Sequence, residues 1–304
     1  MVARLAEPRR GWAAYWENGV KIQVFGCTGQ VATELARCCP TDIQATFLGR
    51  AQADLSDPAT CAAVIEATNA DVVINAAAYT SVDRAEEEES LATVVNGDAP
   101  AAMAKAAAKR SLPFLHISSD YVFDGSGEHP FTPDNPTAPL GAYGRSKLKG
   151  EVAVHSAGGP YAILRTSWVF SAHGKNFVKT MLRLGAERPQ LGIVADQIGG
   201  PTPAADIAKT LFVMSKAFHR GQVNSGIWHF SGAPDTSWAG FAREIFKQAE
   251  LATVVEDIST ANYPTPATRP LNSRLDCSTL ETVFGISRPD WRVGLADVIK
   301  DLRK

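Results

Sequence analysis

Lys21-Ile22-Gln23-Val24-Phe25-Gly26-Cys27-Thr28-Gly29-Gln30-Val31-Ala32 is the stretch that decides the fold. Residues 21–25 form a short apolar-rich strand, and the residues after it read G-x-x-G-x-x-A into a helix expected to run to about Arg37. Strand, glycine turn and helix in that order make a shortened dinucleotide fingerprint. Gly26 allows the tight turn, Gly29 lets a pyrophosphate approach the backbone, and Ala32 takes the close-packing position, with the helix amino end facing the phosphates. On this reading Gly26, Thr28, Gly29, Gln30 and Val31 are cofactor-binding positions. The alternative is an ordinary strand-to-helix turn. Placement in the first unit of a chain that alternates strands and helices favours the fingerprint, and with it an α/β fold built on a parallel sheet.

Working outward, a second strand over residues 43–48 ends at Gly49-Arg50. Cofactors lacking a 2′-phosphate usually meet an acid at this point, whereas Arg50 suits the phosphate of NADP. A solvated surface arginine is the competing reading. Asp54, with Leu55 in A-D-L-S-D, could address the adenine or ribose. Residues 58–68 read as helix and residues 71–75 as a third strand, closing with Ala76, Ala77 and Ala78, small enough to let a flat cofactor pass the backbone. The acidic run Glu86 to Glu89 stands where a helix should begin and complements its macrodipole, which reads as a solvated helix start and not as a metal site. The helix continues through an Ala-rich segment to about Arg110.

Residues 112–117 form an apolar strand, and Ser118 and Ser119 follow at its carboxyl end, where open α/β sheets bind ligands. After a loop rich in Gly, Pro and Asp, Tyr143 and Lys147 stand four apart in a helix reaching about Val154, so they share one face. An ammonium beside a phenol favours the phenolate, so Lys147 is expected to lower the Tyr143 pKa and make it a general acid toward a carbonyl oxygen. Ser119 is expected to hydrogen-bond the same oxygen, and Lys147 to hold the ribose hydroxyls of a nicotinamide. Y-x-x-x-K alone is a weak motif; its placement after the strand that ends in Ser119 gives it meaning.

Residues 162–166 form the next strand, and Trp168 just past its end either lines a substrate pocket or fills core. A helix over 175–185, a strand over 191–194, a helix over 203–219, a strand over 227–230 and a helix over 237–250 follow. Ser278-Thr279-Leu280-Glu281 reads as a capping box with Gly285 as its stop, and a last helix begins near Trp291.

Composition sets the class. The 304 residues carry Lys plus Arg 30 against Asp plus Glu 32, a net charge of -2, and 45% hydrophobic residues, ordinary for a globular protein and without the basic excess that nucleic acid or an anionic membrane would call for. Five Cys, with Cys38 and Cys39 adjacent and no C-x-x-C, suggest neither a disulfide framework nor a zinc site. A reducing cytoplasm is the simple expectation. No window approaches the ~18 uninterrupted apolar residues of a membrane span, and residues 1–20, lacking a signal peptide's apolar centre, read as an extension preceding the fold.

The motifs G-C-T-G-Q-V-A, N-A-A-A-Y-T-S-V-D, S-S-D-Y-V-F-D-G, Y-G-R-S-K, R-T-S-W-V-F, D-Q-I-G-G-P-T and R-P-L-N-S-R-L-D together resemble the dTDP-4-dehydrorhamnose reductases of the extended short-chain dehydrogenase/reductases, from residue 21 to the carboxyl end. The resemblance implies a Rossmann-type doubly wound sheet over residues 21–165, with 192–226 returning to it, and a smaller α/β substrate lobe from 166–191 and 227–304. It implies reduction of the C4 ketone of dTDP-4-dehydro-β-L-rhamnose with NADPH, or NADH, through Ser119, Tyr143 and Lys147. Trp168, Thr80 and Val82 match positions near the sugar nucleotide, and Arg269, Pro270, Asn272 and Ser273 match a segment that closes the lobe. Some members use magnesium at a homodimer contact through Glu residues; Glu34 matches one, while Ala205 stands where another acid is expected. Pro133 stands where the family often carries Glu. Two rivals remain open on sequence: a sugar-nucleotide dehydratase or epimerase, disfavoured because Asp120 is followed by Tyr121 and not by Glu, and a non-catalytic regulatory subunit like the beta subunit of methionine adenosyltransferase.

Overall fold

Each apolar run that punctuates the first half of the chain becomes a strand of one sheet. A computed structural model describes residues 19–304; the expected extension lies outside the described residues as far as residue 18. The elements begin β1 (Val20–Phe25), α1 (Gln30–Arg37), β2 (Ile43–Leu48), α2 (Pro58–Ala67), β3 (Val72–Asn75), α3 (Glu89–Thr93), α4 (Ala99–Lys109), β4 (Phe114–Ser119), α5 (Ala142–Ser156) and β5 (Tyr161–Thr166). They continue with β6 (Val169–Phe170), α6 (Phe177–Glu187), β7 (Gln190–Val194), β8 (Ile198–Gly199), β9 (Thr202–Pro203), α7 (Ala204–His219) and β10 (Gly226–Phe230). The chain closes with β11 (Thr236–Ser237), α8 (Trp238–Ala249), β12 (Val254–Ile258), β13 (Asn272–Ser273), α9 (Ser278–Phe284) and α10 (Trp291–Leu302).

The large sheet has six strands in the order β10-β5-β4-β3-β1-β2, every pair parallel. A parallel sheet covered on both faces needs strands apolar on both faces, and Val72 to Asn75 of β3 are all buried. One face packs α1 and α7 through Leu35, Ile207, Leu211 and Phe218. The other packs α2, α4 and α5 through Ile65, Met103, Ala107 and Val154. Strand order reverses between β1 and β3, so the crevice at their carboxyl ends is the switch point at which such sheets bind ligands. The smaller lobe packs α6, α8 and α10 around Phe170, Met181, Phe241, Ile245, Trp291 and Leu295. No helix among the described residues is long and apolar enough to cross a membrane.

Three expectations are corrected. Strand β10 belongs to the large sheet, with Ile227 registered on Ile163 and Phe230 on Thr166, so residues 226–230 return to it instead of opening the lobe. Strand β7 pairs β12 instead, Leu191 on Val255, which leaves α7 and β10 as the returning segment. Local periodicity names a strand but not its partner, and these partners lie 60 or so residues away along the chain, a separation that no window reads. Third, the capping box does not form: Cys277 occupies the cap of α9, Asp276 accepts from the Ser278 N–H at 2.8 Å, and Glu281 accepts from the Ser287 hydroxyl at 2.6 Å. Gly285 does stop the helix, at φ 69°.

Candidate active site

The turn after β1 is shaped by Gly26, which sits at φ 111°, where a Cβ would also come within 3.3 Å of the Ala76 carbonyl. Gly29 caps α1 in extended conformation without a side-chain hydrogen bond, so the first N–H groups of α1 are left to an external acceptor. A Cβ on Gly29 would meet only the Ala76 oxygen, at 4.0 Å; the cradle is open toward the crevice and fits a pyrophosphate. Ala76 is tied to Phe25 at 3.0 Å, and Ala77 donates to the Asn75 side chain at 3.2 Å, which holds the three small residues flat beside the turn. Thr28 is exposed, Val31 is packed into the core, and the Gln30 side chain turns to the other lobe, accepting from Asn176 at 2.9 Å and donating to the Val169 carbonyl at 3.4 Å. Arg50 projects from the end of β2, 87% exposed and 3.9 Å from Asp54. Asp54 accepts from the Ser56 N–H at 2.9 Å, which lowers its pKa, and Leu55 is buried beneath it.

The acidic run is more than a solvated helix start, because it grips the helix that carries Tyr143 and Lys147. Glu86 accepts from the Ala142 N–H at 2.9 Å, at the amino end of α5, and Glu89 pairs with Arg145 at 2.8 Å. Gly144 lets α5 approach the Tyr121 carbonyl more closely than any Cβ would permit. Tyr143 is thereby set edge-on against Tyr121, ring centroids 5.4 Å apart at 80°.

Ser119 ends β4, and its hydroxyl donates to Asp120 at 2.9 Å while accepting from the Tyr121 N–H at 3.2 Å. It also approaches the Tyr143 phenol and pulls that phenol's pKa down. Burial outweighs that contact, and with the Asp120 carboxylate it drives the Tyr143 pKa above the ordinary value of 10. The expectation that Lys147 lowers it is therefore corrected. The buried ammonium donates to the Ile117 carbonyl at 2.7 Å and lies 3.4 Å from His116 Nε2. Burial pushes its own pKa down to about 8 against the upward pull of Glu151. Asp120 is buried and pushed up to about 6 by desolvation, with Ser273 and Ser119 pulling the other way. Tyr121 is pushed up to about 12, chiefly by burial.

On the opposite wall Trp168, at φ 48°, stacks on Trp238 with centroids 3.6 Å apart and planes at 12°. It is half-buried and packs against the lobe's aromatic core. Thr80 is exposed and Val82 half-buried on the loop after β3. Arg269 is held by both carboxylate oxygens of Asp83, at 2.7 Å each, and reaches the Tyr121 hydroxyl at 3.5 Å. Asn272 is buried, donating to the carbonyls of Ser126 and His129 at 3.2 and 2.8 Å. Its amide thus ties β13 to the loop at Ser126 and His129. Asp83 was not singled out from sequence, and Asp120 and Tyr121 were read only as a departure from the dehydratase pattern; each stood inside a quoted motif, but no spacing rule distinguishes a lone acid or phenol that acts across lobes. Glu34 pairs with Arg37 at 2.8 Å and lies 3.6 Å from His173, and among the described residues no group of three or more His, Cys, Asp or Glu is arranged to hold a metal.

A glycine cradle at a parallel switch point, with a serine, a tyrosine and a lysine on the adjoining strand and helix, defines an oxidoreductase that works with a nicotinamide dinucleotide. A family model described as the RmlD substrate binding domain matches residues 20–304. A dTDP-4-dehydrorhamnose reductase of Burkholderia thailandensis is 45% identical, covering 93% of this chain and 99% of its own, and one of Sinorhizobium fredii is 44% identical over 90% and 94%. Among solved structures, the dTDP-4-dehydrorhamnose reductase of Bacillus anthracis in complex with NADP superposes with a TM-score of 0.86 at 32% identity, covering 93% of this chain and 99% of that one. The chain belongs to the dTDP-4-dehydrorhamnose reductase family.

Proposed function

We propose that this protein reduces the C4 ketone of dTDP-4-dehydro-β-L-rhamnose to dTDP-L-rhamnose with NADPH, Tyr143 acting as general acid. The observation that carries the reading is the placement of Ser119 at the carboxyl end of β4 with the buried Tyr143 phenol brought to it by α5, on the sheet whose switch point carries the Gly26 turn. When bound, the reduced nicotinamide supplies the hydride that goes to C4. Tyr143 is suited to the proton: burial keeps the phenol protonated at neutral pH, so it can donate to the oxygen as negative charge develops there. Ser119 orients that oxygen, and Lys147, now turned to the Ile117 carbonyl, is the cation that would hold the cofactor's ribose hydroxyls. Trp168 and the Arg269 clamp address the sugar nucleotide, Arg269 by its charge toward phosphate. Arg50, unencumbered apart from the distant Asp54, is the residue for the 2′-phosphate and the basis for preferring NADPH.

Asp120 is followed by Tyr121, whose phenol meets Arg269 and not a second carboxylate, which speaks against a dehydratase. The test is to offer dTDP-4-dehydrorhamnose with NADPH or NADH, follow nicotinamide absorbance and identify the product sugar. Oxidation of NADPH with formation of the rhamnose nucleotide is expected. No turnover with either nicotinamide, or release of a 4-keto sugar, would reject the assignment.

A further inference from the structure

The His116 ring, on β4, is 1% exposed and lies between Asn75 and Lys147. Its Nδ1 is 3.1 Å from the Asn75 amide nitrogen, and its Nε2 is 3.4 Å from Lys147 Nζ. Phe114, on the same strand, stacks with the ring, centroids 6.2 Å apart at 14°. Gly150 lets α5 close over it, because a Cβ there would overlap the Asn96 carbonyl and come within 3.6 Å of Nε2. Burial, and then the Lys147 charge, push the ring's pKa well down, so the imidazole is neutral. A neutral imidazole has one donor nitrogen and one acceptor nitrogen, and its neighbours decide which is which.

Direction is set from the far end. The Ala77 N–H donates to Asn75 Oδ1 at 3.2 Å, so Asn75 turns its Nδ2 donor toward His116. Nδ1 therefore accepts, and the ring proton sits on Nε2, aimed at Lys147. Lys147 itself donates to the Ile117 carbonyl at 2.7 Å. A free amine satisfies every link, accepting from Nε2–H while donating to Ile117. An ammonium has no lone pair and meets that N–H donor to donor. Turning over the ring or the amide only moves the mismatch to Asn75 or to Ala77. We propose that Asn75 and His116 are positioning residues whose one-way hydrogen-bond chain, begun at Ala77 beside the glycine cradle, favours the free amine of Lys147 and so limits the pH range in which it is a cation. The other charged and titratable groups about this nitrogen are three. Glu151, one turn on along α5, pulls the Lys147 pKa up; Arg165 of β5 is paired with that carboxylate; Tyr143 stands one turn earlier on α5. The consequence for turnover rests on Lys147 holding the cofactor ribose, as proposed above; the chain itself does not.

Nitrogen NMR of isotope-labelled histidine rings in the native protein at neutral pH reads the tautomer with neither variant nor turnover. His116 should be the Nε2–H form. His229 provides the contrast in the same spectrum: its Nδ1 stands 3.0 Å from the Phe131 carbonyl, which only accepts, so it should be the Nδ1–H form. His116 found as the Nδ1–H form, or doubly protonated, would overturn the proposal. His116→Phe keeps a ring and removes the facing N–H. Carbon NMR of isotope-labelled lysine in the unliganded protein should show Lys147 titrating at about 8 in the native chain. In the variant the midpoint should lie roughly one pH unit higher, the effect of losing one hydrogen bond to the neutral form. An unchanged or lower midpoint would also overturn the proposal. If His116→Phe does not fold, Asn75→Ala serves: it frees the ring to offer its Nε2 lone pair to the ammonium, and the midpoint should again rise. In turnover, the alkaline limb of kcat should move upward with the midpoint. A midpoint that rises while kcat and NADPH affinity ignore it would support the chain and count against the ribose role.

Discussion

Glu151→Gln should loosen the helix that carries the reacting groups, and by an amount that can be worked out. Glu151 lies one turn beyond Lys147 on α5 and accepts from Arg165 of β5 through three contacts: Nε at 2.9 and 3.2 Å and Nη2 at 2.6 Å. Both side chains are 3% exposed. Arg165 also donates to the Pro133 carbonyl at 3.2 Å and stands 4.9 Å from the centroid of the Phe123 ring, so it ties α5, β5 and the loop at Pro133 together. Replacing the carboxylate by an amide leaves the guanidinium buried without a counter-charge, which typically destabilises by about 3–5 kcal/mol. At roughly 2–4 °C per kcal/mol for a domain of this size, the midpoint of thermal unfolding should drop by roughly 6–20 °C. The double variant Glu151→Gln with Arg165→Met should recover most of that loss, because it is the orphaned charge that is expensive. Glu151 also holds the Lys147 pKa up, so the variant should shift any alkaline limb of kcat to lower pH. Thermal unfolding followed by circular dichroism across the four-member cycle measures the stability part. A single-variant loss below about 1 kcal/mol, or a double variant no better than the single, would refute the reasoning.

His229 is buried, with its pKa pushed down to about 3 by desolvation and then by Arg165. Because the unfolded imidazole binds its proton near 6.5 and the folded one does not, native stability should fall by up to ~1.4 kcal/mol per pH unit between pH 6.5 and about 3. His229→Gln should remove that slope in acid-unfolding curves. Arg50→Ala should raise KM for NADPH by roughly tenfold to a hundredfold and leave KM for NADH within about twofold, as expected of a charge-assisted contact to a single phosphate; equal effects on both would deny Arg50 the 2′-phosphate. Arg269→Ala should raise KM for the sugar nucleotide by roughly tenfold or more with little change in cofactor affinity, measured by fluorescence titration of NADPH.

Local signals made the first half of the chain legible. The Gly26 turn, the strand ending in Ser119 and the shared face of Tyr143 and Lys147 each lie within a dozen residues, where chain geometry leaves few choices. What sequence did not reveal depends on partners far along the chain. Strand β10 looks like any short apolar run until it meets β5, and β12 alternates too weakly to stand out until β7 sits beside it. The acidic run was read by its nearest neighbours, whereas its partners, Ala142 and Arg145, lie 56 residues on. Lys147 illustrates the same limit within one helix. Its spacing from Tyr143 is right, but the Ile117 carbonyl takes its ammonium, and the phenol's acidity is set by burial and Asp120 instead.

The most direct test is turnover of dTDP-4-dehydrorhamnose by Tyr143→Phe with NADPH, alongside NADPH binding to the same variant. Loss of a positioned general acid predicts kcat lower by roughly 10²–10⁴-fold with cofactor affinity close to native. Near-native turnover would contradict the assignment of the proton to this phenol and the mechanism built on it.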